Sequence, residues 1–163
     1  MKHVEYKLNP ACSVTWPNIR TTEYNPIGPP QWMIDFLFVE LGFRGTLEFI
    51  EWPYLQMRAS YNPDMNKIRL VGSRDFCEDA IYSLIHEYCH SICGAKEVKY
   101  KRHRTCGGYR ESSWVYKNVF HHKEFFLTAA VLYDRYGVLK HAAKYEYASG
   151  KKILNKFIYG ERE

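Results

Sequence analysis

No stretch of the sequence approaches the roughly 18 consecutive apolar residues that a membrane-crossing helix requires. The first ten residues, Met1 to Pro10, carry charges and have no apolar core segment, so they do not read as a secretory signal. No Cys-x-x-Cys pair occurs, and the cysteines (Cys12, Cys77, Cys89, Cys93 and Cys106) are odd in number. This pattern excludes a four-cysteine zinc knuckle and argues against a disulfide framework. An intracellular protein is therefore expected, cytoplasmic or in a nucleus or nucleoid, not secreted and with no membrane partner. Internal repeats and low-complexity tracts are also missing, which removes solenoid and fibrous architectures. Excess charge is modest. The net +5 permits acidic partners and decides nothing else.

What remains is a chain of 163 residues in which 46% are hydrophobic and 17% aromatic, 14 of them Tyr. That length favours one domain. The aromatic share implies a core rich in ring packing, with phenol groups reaching for partners near the surface. Residues 1–30 are punctuated by Asn9-Pro10, Trp16-Pro17, Asn25-Pro26 and Gly28-Pro29-Pro30, and read as an irregular N-terminal arm. Residues 31–163 read as a single domain.

Within that domain, Trp32, Ile34, Phe36, Leu37, Phe38 and Leu41 predict a buried helix over Pro30–Leu41. Strands are expected over Gly45–Trp52, Tyr54–Tyr61 and Lys67–Val71, with a turn at 62–66. A helix follows from about Asp75 to Cys93, with Ser73 as its cap and Ile81, Leu84, Ile85, Tyr88 and Ile92 as its apolar stripe. Cys89 and Cys93 lie on this helix and read as small apolar residues. A basic loop or insertion occupies about 94–118. One more helix runs from about Val119–His121 to Tyr136, and another over Val138–Tyr147, stopped by Ser149-Gly150. Lys151–Phe157 reads as a last turn or strand. The fold class is α+β: a small antiparallel sheet packed on the helix that ends at Cys93, with further helices.

That helix carries His86-Glu87-Tyr88-Cys89-His90, an H-E-x-x-H motif. Positions i and i+4 of a helix share one face. Two imidazoles there can grip one zinc ion, while the carboxylate beside the first His reaches the metal's water without competing as a ligand. A Lewis acid, a water of lowered pKa and a base for its proton are what metal-assisted hydrolysis needs. A catalytic zinc takes three protein ligands. The third is sought in His121, His122 or Glu124, at the head of the next predicted helix, 31 residues after His90. His103 is the outsider, because Lys101, Arg102 and Arg104 surround it. Tyr109, Arg110 and Tyr133 are candidates to stabilise an oxyanion. Asp134 and Glu111 are candidates to hold a ligand imidazole through its second nitrogen.

Over roughly Ala59 to Tyr136 the chain resembles the SprT-like zincin metallopeptidases. The likeness lies in Ala59-Ser60-Tyr61-Asn62-Pro63, Ile68-Arg69-Leu70, the H-E-x-x-H motif and His121-His122-Lys123-Glu124-Phe125. It implies a zincin-like fold, one Zn2+ ion and peptidase activity on a protein or peptide substrate. It implies Glu87 as catalytic base and His121 as third ligand, with His122 where the family often has Gly and Phe125 as an apolar anchor. A related zincin group would use Glu124 instead. The gap between His90 and His121 is longer than usual for the family, and no cysteine pairs form a C-terminal zinc ribbon.

Residues 96–110 hold six Lys or Arg against one Glu, with Tyr100 and Tyr109 interleaved. Cations that neutralise phosphates and rings that stack on bases make this a DNA or RNA interface candidate, through Lys99, Lys101, Arg102, Arg104 and Arg110. SprT-like relatives include enzymes that cut proteins attached to DNA, so nucleic-acid-associated proteins are an expected substrate class. The competing expectation is a nucleic-acid-binding or host-interaction module on a zincin scaffold, with little or no peptidase activity.

Overall fold

A computed structural model of the chain describes residues 19–21, 29–52, 57–73 and 77–160. The fold is mixed α+β. Helix α1 begins at Gln31–Ile34 and continues as a π-helical turn over Asp35–Glu40, closed by Leu41 N–H donating to Phe36 O at 3.0 Å. Met33, Phe36 and Leu37 on it are fully buried, as the apolar run predicts.

Four strands form the main sheet: β1 (Ile19–Thr21), β2 (Thr46–Glu51), β3 (Arg58–Asn62) and β4 (Lys67–Gly72), in the order β1-β2-β4-β3. β3 and β4 form the expected antiparallel hairpin, but β1, β2 and β4 run parallel. The sheet is therefore mixed, which corrects the expectation of a small antiparallel sheet. Alternation of apolar residues assigns faces to a strand but says nothing of its neighbour's direction. Here β4 returns between β2 and β3 and aligns with β2. The irregular reading of residues 1–30 is also corrected at Ile19–Thr21, which pair with β2. Residues 1–18 and 22–28 of that arm lie outside the described residues, as do 54–56 of the strand predicted over Tyr54–Tyr61.

Leu47 and Phe49 of β2 register with Ile68 and Leu70 of β4, and all four are fully buried. Each such side chain contributes about 1.5–3 kcal/mol of burial free energy. They back onto α2 (Cys77–Cys93), which contacts β3 and β4 as well as the π turn of α1 and helices α3 (Lys123–Arg135) and α4 (Leu139–Tyr145). Ala80, Leu84, Ile85 and Cys89 form the buried face of α2, so Cys89 is a core residue. Ile92, expected to extend that stripe, is exposed. The cap predicted at Ser73 adjoins residues 74–76, which lie outside the described residues. Asp79 ties α2 to its surroundings, accepting the Met57 N–H at 2.9 Å and facing His141 Nε2 at 2.9 Å.

Two further expectations change. Lys151–Phe157 belongs to a full helix, α5 (Ala148–Tyr159), and Ser149-Gly150 lies in its first turn instead of ending α4. Gly150 is there for close packing: a Cβ would sit 2.3 Å from a Phe126 ring carbon. The real break is at Glu146 and Tyr147, both extended (ψ 159° and 154°). The basic segment is not a loop either. It is a two-stranded antiparallel ribbon, β5 (Lys96–Cys106) and β6 (Tyr109–Val119), inserted between α2 and α3. Gly107 and Gly108 make its turn with φ of 57° and 83°, the paired left-handed geometry that two-residue hairpins favour.

Candidate metal centre

His86 and His90 stand one turn apart on α2, and His121 arrives from the segment before α3. Their Nε2 atoms converge: 3.0 Å between His86 and His121, 3.1 Å between His90 and His121, and 3.2 Å between His86 and His90. These three side chains lie close enough to hold a metal ion. They are the one such cluster among the described residues. Tetrahedral bonds of about 2.0–2.1 Å put donor atoms about 3.3 Å apart, so the triangle fits zinc to within a few tenths of an ångström.

Protonation states support the same fit. Glu146 is 2% exposed and its Oε2 lies 3.0 Å from His86 Nδ1. Burial pushes its carboxyl up, but the His86 hydrogen bond and charge, the Tyr147 N–H and the Tyr133 hydroxyl together bring it below its ordinary value. An ionised carboxylate only accepts, so His86 Nδ1 donates to Glu146 and the Nε2 edge of the ring is turned to the cluster. Burial, and then the neighbouring His86 and His121, push His90 down to about 3. Burial and His86 lower His121 likewise. Both shifts favour the neutral imidazole of His90 and His121, the form that binds metal.

Aromatic packing fixes these rings. Phe125 stacks on His90 at 4.5 Å between centroids and meets His86 edge-on at 4.9 Å. Phe125 is fully buried, so it anchors the site from the core side of α3. This packing restrains the ring orientations that converge the donor atoms.

A cleft of about 500 Å3 opens beside the cluster, lined by His86, Glu87, His90 and His121 together with Ala59, Ser60 and Tyr61 of β3, residues 117–120 and Tyr147. β3 is an edge strand of the sheet among the described residues. Glu87 is buried, and that burial pushes its carboxyl up to about 7; His86 opposes the shift and Glu146 adds to it.

The other candidates lie elsewhere. His122 caps α3, its Nδ1 accepting the Phe125 N–H at 3.3 Å, while its Nε2 donates to Gly94 O at 3.1 Å. Glu124 is exposed and pairs with Lys96 at 2.9 Å, which holds its carboxyl well below the usual range. Neither joins the cluster. His103 faces Ser112 on the ribbon. Tyr109 and Arg110 sit beside the ribbon turn, away from the cleft lining, and Glu111 pairs across the strands with Arg104. Tyr133 is fully buried and donates to Glu146 Oε2 at 3.1 Å, so it supports the site from behind and does not face the cleft. Asp134 is exposed. The carboxylate that holds His86 is Glu146, which sequence reasoning missed. It lies at a helix break, where no periodicity points to an inward-facing acid.

The ribbon divides the basic candidates between its two faces. Lys99, Lys101 and Arg110 share one face with Trp114 and Tyr116; Arg102 and Arg104 share the other with Ser113 and Glu111. Lys99 Nζ lies 4.9 Å from the Trp114 ring centroid and 5.7 Å from that of Tyr116. Both rings are exposed, and neither was singled out in the sequence, because they lie beyond the 96–110 window. No helix among the described residues is long and apolar enough to cross a membrane. No known family, curated protein or solved structure matches the chain.

Proposed function

We propose that the chain is a zinc-dependent peptidase of the SprT-like kind, hydrolysing peptide bonds with Glu87 as general base. The observation that carries this reading is the convergence of three imidazole nitrogens beside a buried carboxylate lining one open cleft. A zinc ion held by His86, His90 and His121 would supply a Lewis acid and a water of lowered pKa. Glu87 takes the proton of the attacking water and hands it to the leaving amine. Burial raises its carboxyl in the metal-free chain, which makes it a stronger base than an exposed carboxylate. Glu146 holds the His86 ring in the tautomer and direction the site needs. The outer edge of β3, which pairs with no strand among the described residues, offers backbone groups to an extended peptide lying in the cleft.

The test is a casein or self-cleavage assay on metal-replete protein, with and without chelator. Hydrolysis lost to chelator and restored by zinc is expected. Turnover that ignores the chelator would remove the metal from the chemistry.

A second reading concerns the partner. The ribbon carries seven Lys or Arg against two Glu, a balance of +5 that equals the net charge of the whole chain. The rest of the protein is thus electrically balanced, and the excess sits on an exposed element with four exposed indole or phenol rings, Tyr100, Tyr109, Trp114 and Tyr116. This favours DNA or RNA as the ribbon's partner, with proteins bound to it as substrates. Fluorescence anisotropy with a labelled oligonucleotide across a salt series tests it: affinity falling steeply with salt is expected. Such binding without any hydrolysis would instead favour a binding module on this scaffold.

A further inference from the structure

Amide hydrolysis builds negative charge on the carbonyl oxygen, and preorganised donors aimed at that charge speed the step. The donors expected from the sequence do not serve: Tyr109 and Arg110 belong to the ribbon tip, and the Tyr133 hydroxyl is committed to Glu146. Of the two phenols lining the cleft, Tyr61 is also committed, donating to Asn66 Oδ1 at 3.0 Å. We propose that the Tyr147 hydroxyl is the missing donor, a catalytic residue that hydrogen-bonds the developing oxyanion. The assignment rests on the peptidase reading above.

Three observations carry it. Tyr147 lines the same cleft as Glu87, and its ring lies against the cluster, 4.3 Å from His121 and 6.4 Å from His86 between centroids. It is 60% exposed and its hydroxyl has no partner among the described residues, so the donor is free for substrate. Its backbone is fixed: as the cap of α5 its N–H donates to Glu146 Oε1 at 3.1 Å and its carbonyl accepts the Lys151 N–H at 2.8 Å. Glu146 is the same carboxylate that holds His86. One dipeptide at the α4–α5 break therefore aims a carboxylate at one imidazole and a phenol ring across another. The coupling places the donor relative to the cluster without a flexible loop between them.

Tyr147→Phe removes the hydroxyl and keeps the ring against His121. Three quantities are measured on this variant and on the parent: zinc affinity by competition with a chromophoric chelator, kcat and KM on a peptide, and affinity for a phosphinic peptide, a tetrahedral anion, by calorimetry. Expected are unchanged zinc affinity, kcat lower by about 100-fold with KM little moved, and phosphinate binding weakened at least about 10-fold. Tyr145→Phe is the control, because Tyr145 is exposed and its ring lies against His141 outside the cleft. Tyr147→Phe with parental kcat and phosphinate affinity overturns the assignment while leaving the peptidase reading standing. Equal losses in both variants also overturn it, tracing the effect to the helix junction instead of the hydroxyl. A parent protein that neither hydrolyses peptide nor binds phosphinate overturns the peptidase reading, and this assignment with it.

Discussion

A single residue, Phe120, separates the end of the ribbon from His121, but the two regions obey different physics. In the imidazole cluster, ligand rings are backed by other buried side chains. His86 has Glu146, Glu146 has Tyr133 and the Tyr147 N–H, and His90 has the Phe125 ring. Burial is severe enough there to drive imidazoles neutral and a carboxyl up to about 7. On the ribbon, all of β5 is exposed and the strands pack chiefly on each other. A bare two-stranded ribbon is only marginally stable in water, so its side chains gain little from the fold and its charges are screened by salt. Preorganised chemistry and adaptable charge have thus been placed side by side, and a mutation in one region should leave the other alone.

The largest expected effect is on metal. Zinc binding of about 10–16 kcal/mol in structural sites is shared among a few ligands, so His90→Ala should weaken zinc affinity about a thousandfold or more. His121→Ala should do nearly as much, whereas His103→Ala on the ribbon should do nothing. Equal effects at 103 and 121 would erase the contrast between the regions. Next, Glu87→Gln should keep zinc and lower turnover about a hundredfold or more. Retained turnover in that variant removes Glu87 from its role.

Glu146→Gln should follow, with zinc affinity reduced about 10- to 100-fold. Competition titration measures it, and an unchanged affinity would mean that His86 needs no support from behind. The metal-free protein gives a smaller effect with a definite sign. The Glu87 carboxyl is raised in the fold to about 7 from 4.5, so its contribution to stability is full below about 4.5 and lost as pH rises through about 7. Glu87→Gln should therefore stabilise the metal-free chain at pH 8 by on the order of 2 kcal/mol, and not at pH 4. Denaturant melts at the two pH values decide this. The smallest effect belongs to the ribbon. Trp114→Ala should cost about 1–3 kcal/mol of single-stranded oligonucleotide affinity, with zinc affinity unmoved.

Much of this was open to inspection in the sequence, for identifiable reasons. His86, Glu87 and His90 are encoded by spacing alone, because a helix turns a four-residue step into one face. The α1 and α2 cores follow from apolar periodicity in the same way. His121 emerged from its resemblance to a family motif, while spacing left His122 and Glu124 equally eligible; cap geometry and an ion pair with Lys96 separate them in the structure. Glu146 and Tyr147 were hidden because an extended helix break has no period to read. The ribbon was hidden for a related reason. Both of its faces are exposed, so no apolar alternation marks it, and only Gly107-Gly108 signals its turn. Strand direction in the main sheet is likewise absent from any local pattern.

The most direct measurement is zinc K-edge X-ray absorption on the purified, zinc-loaded chain. Three imidazole nitrogens and one further light scatterer at about 2.0–2.1 Å are expected, with one zinc per chain. A sulfur shell at about 2.3 Å, or zinc content near zero after loading, would contradict the three-histidine site.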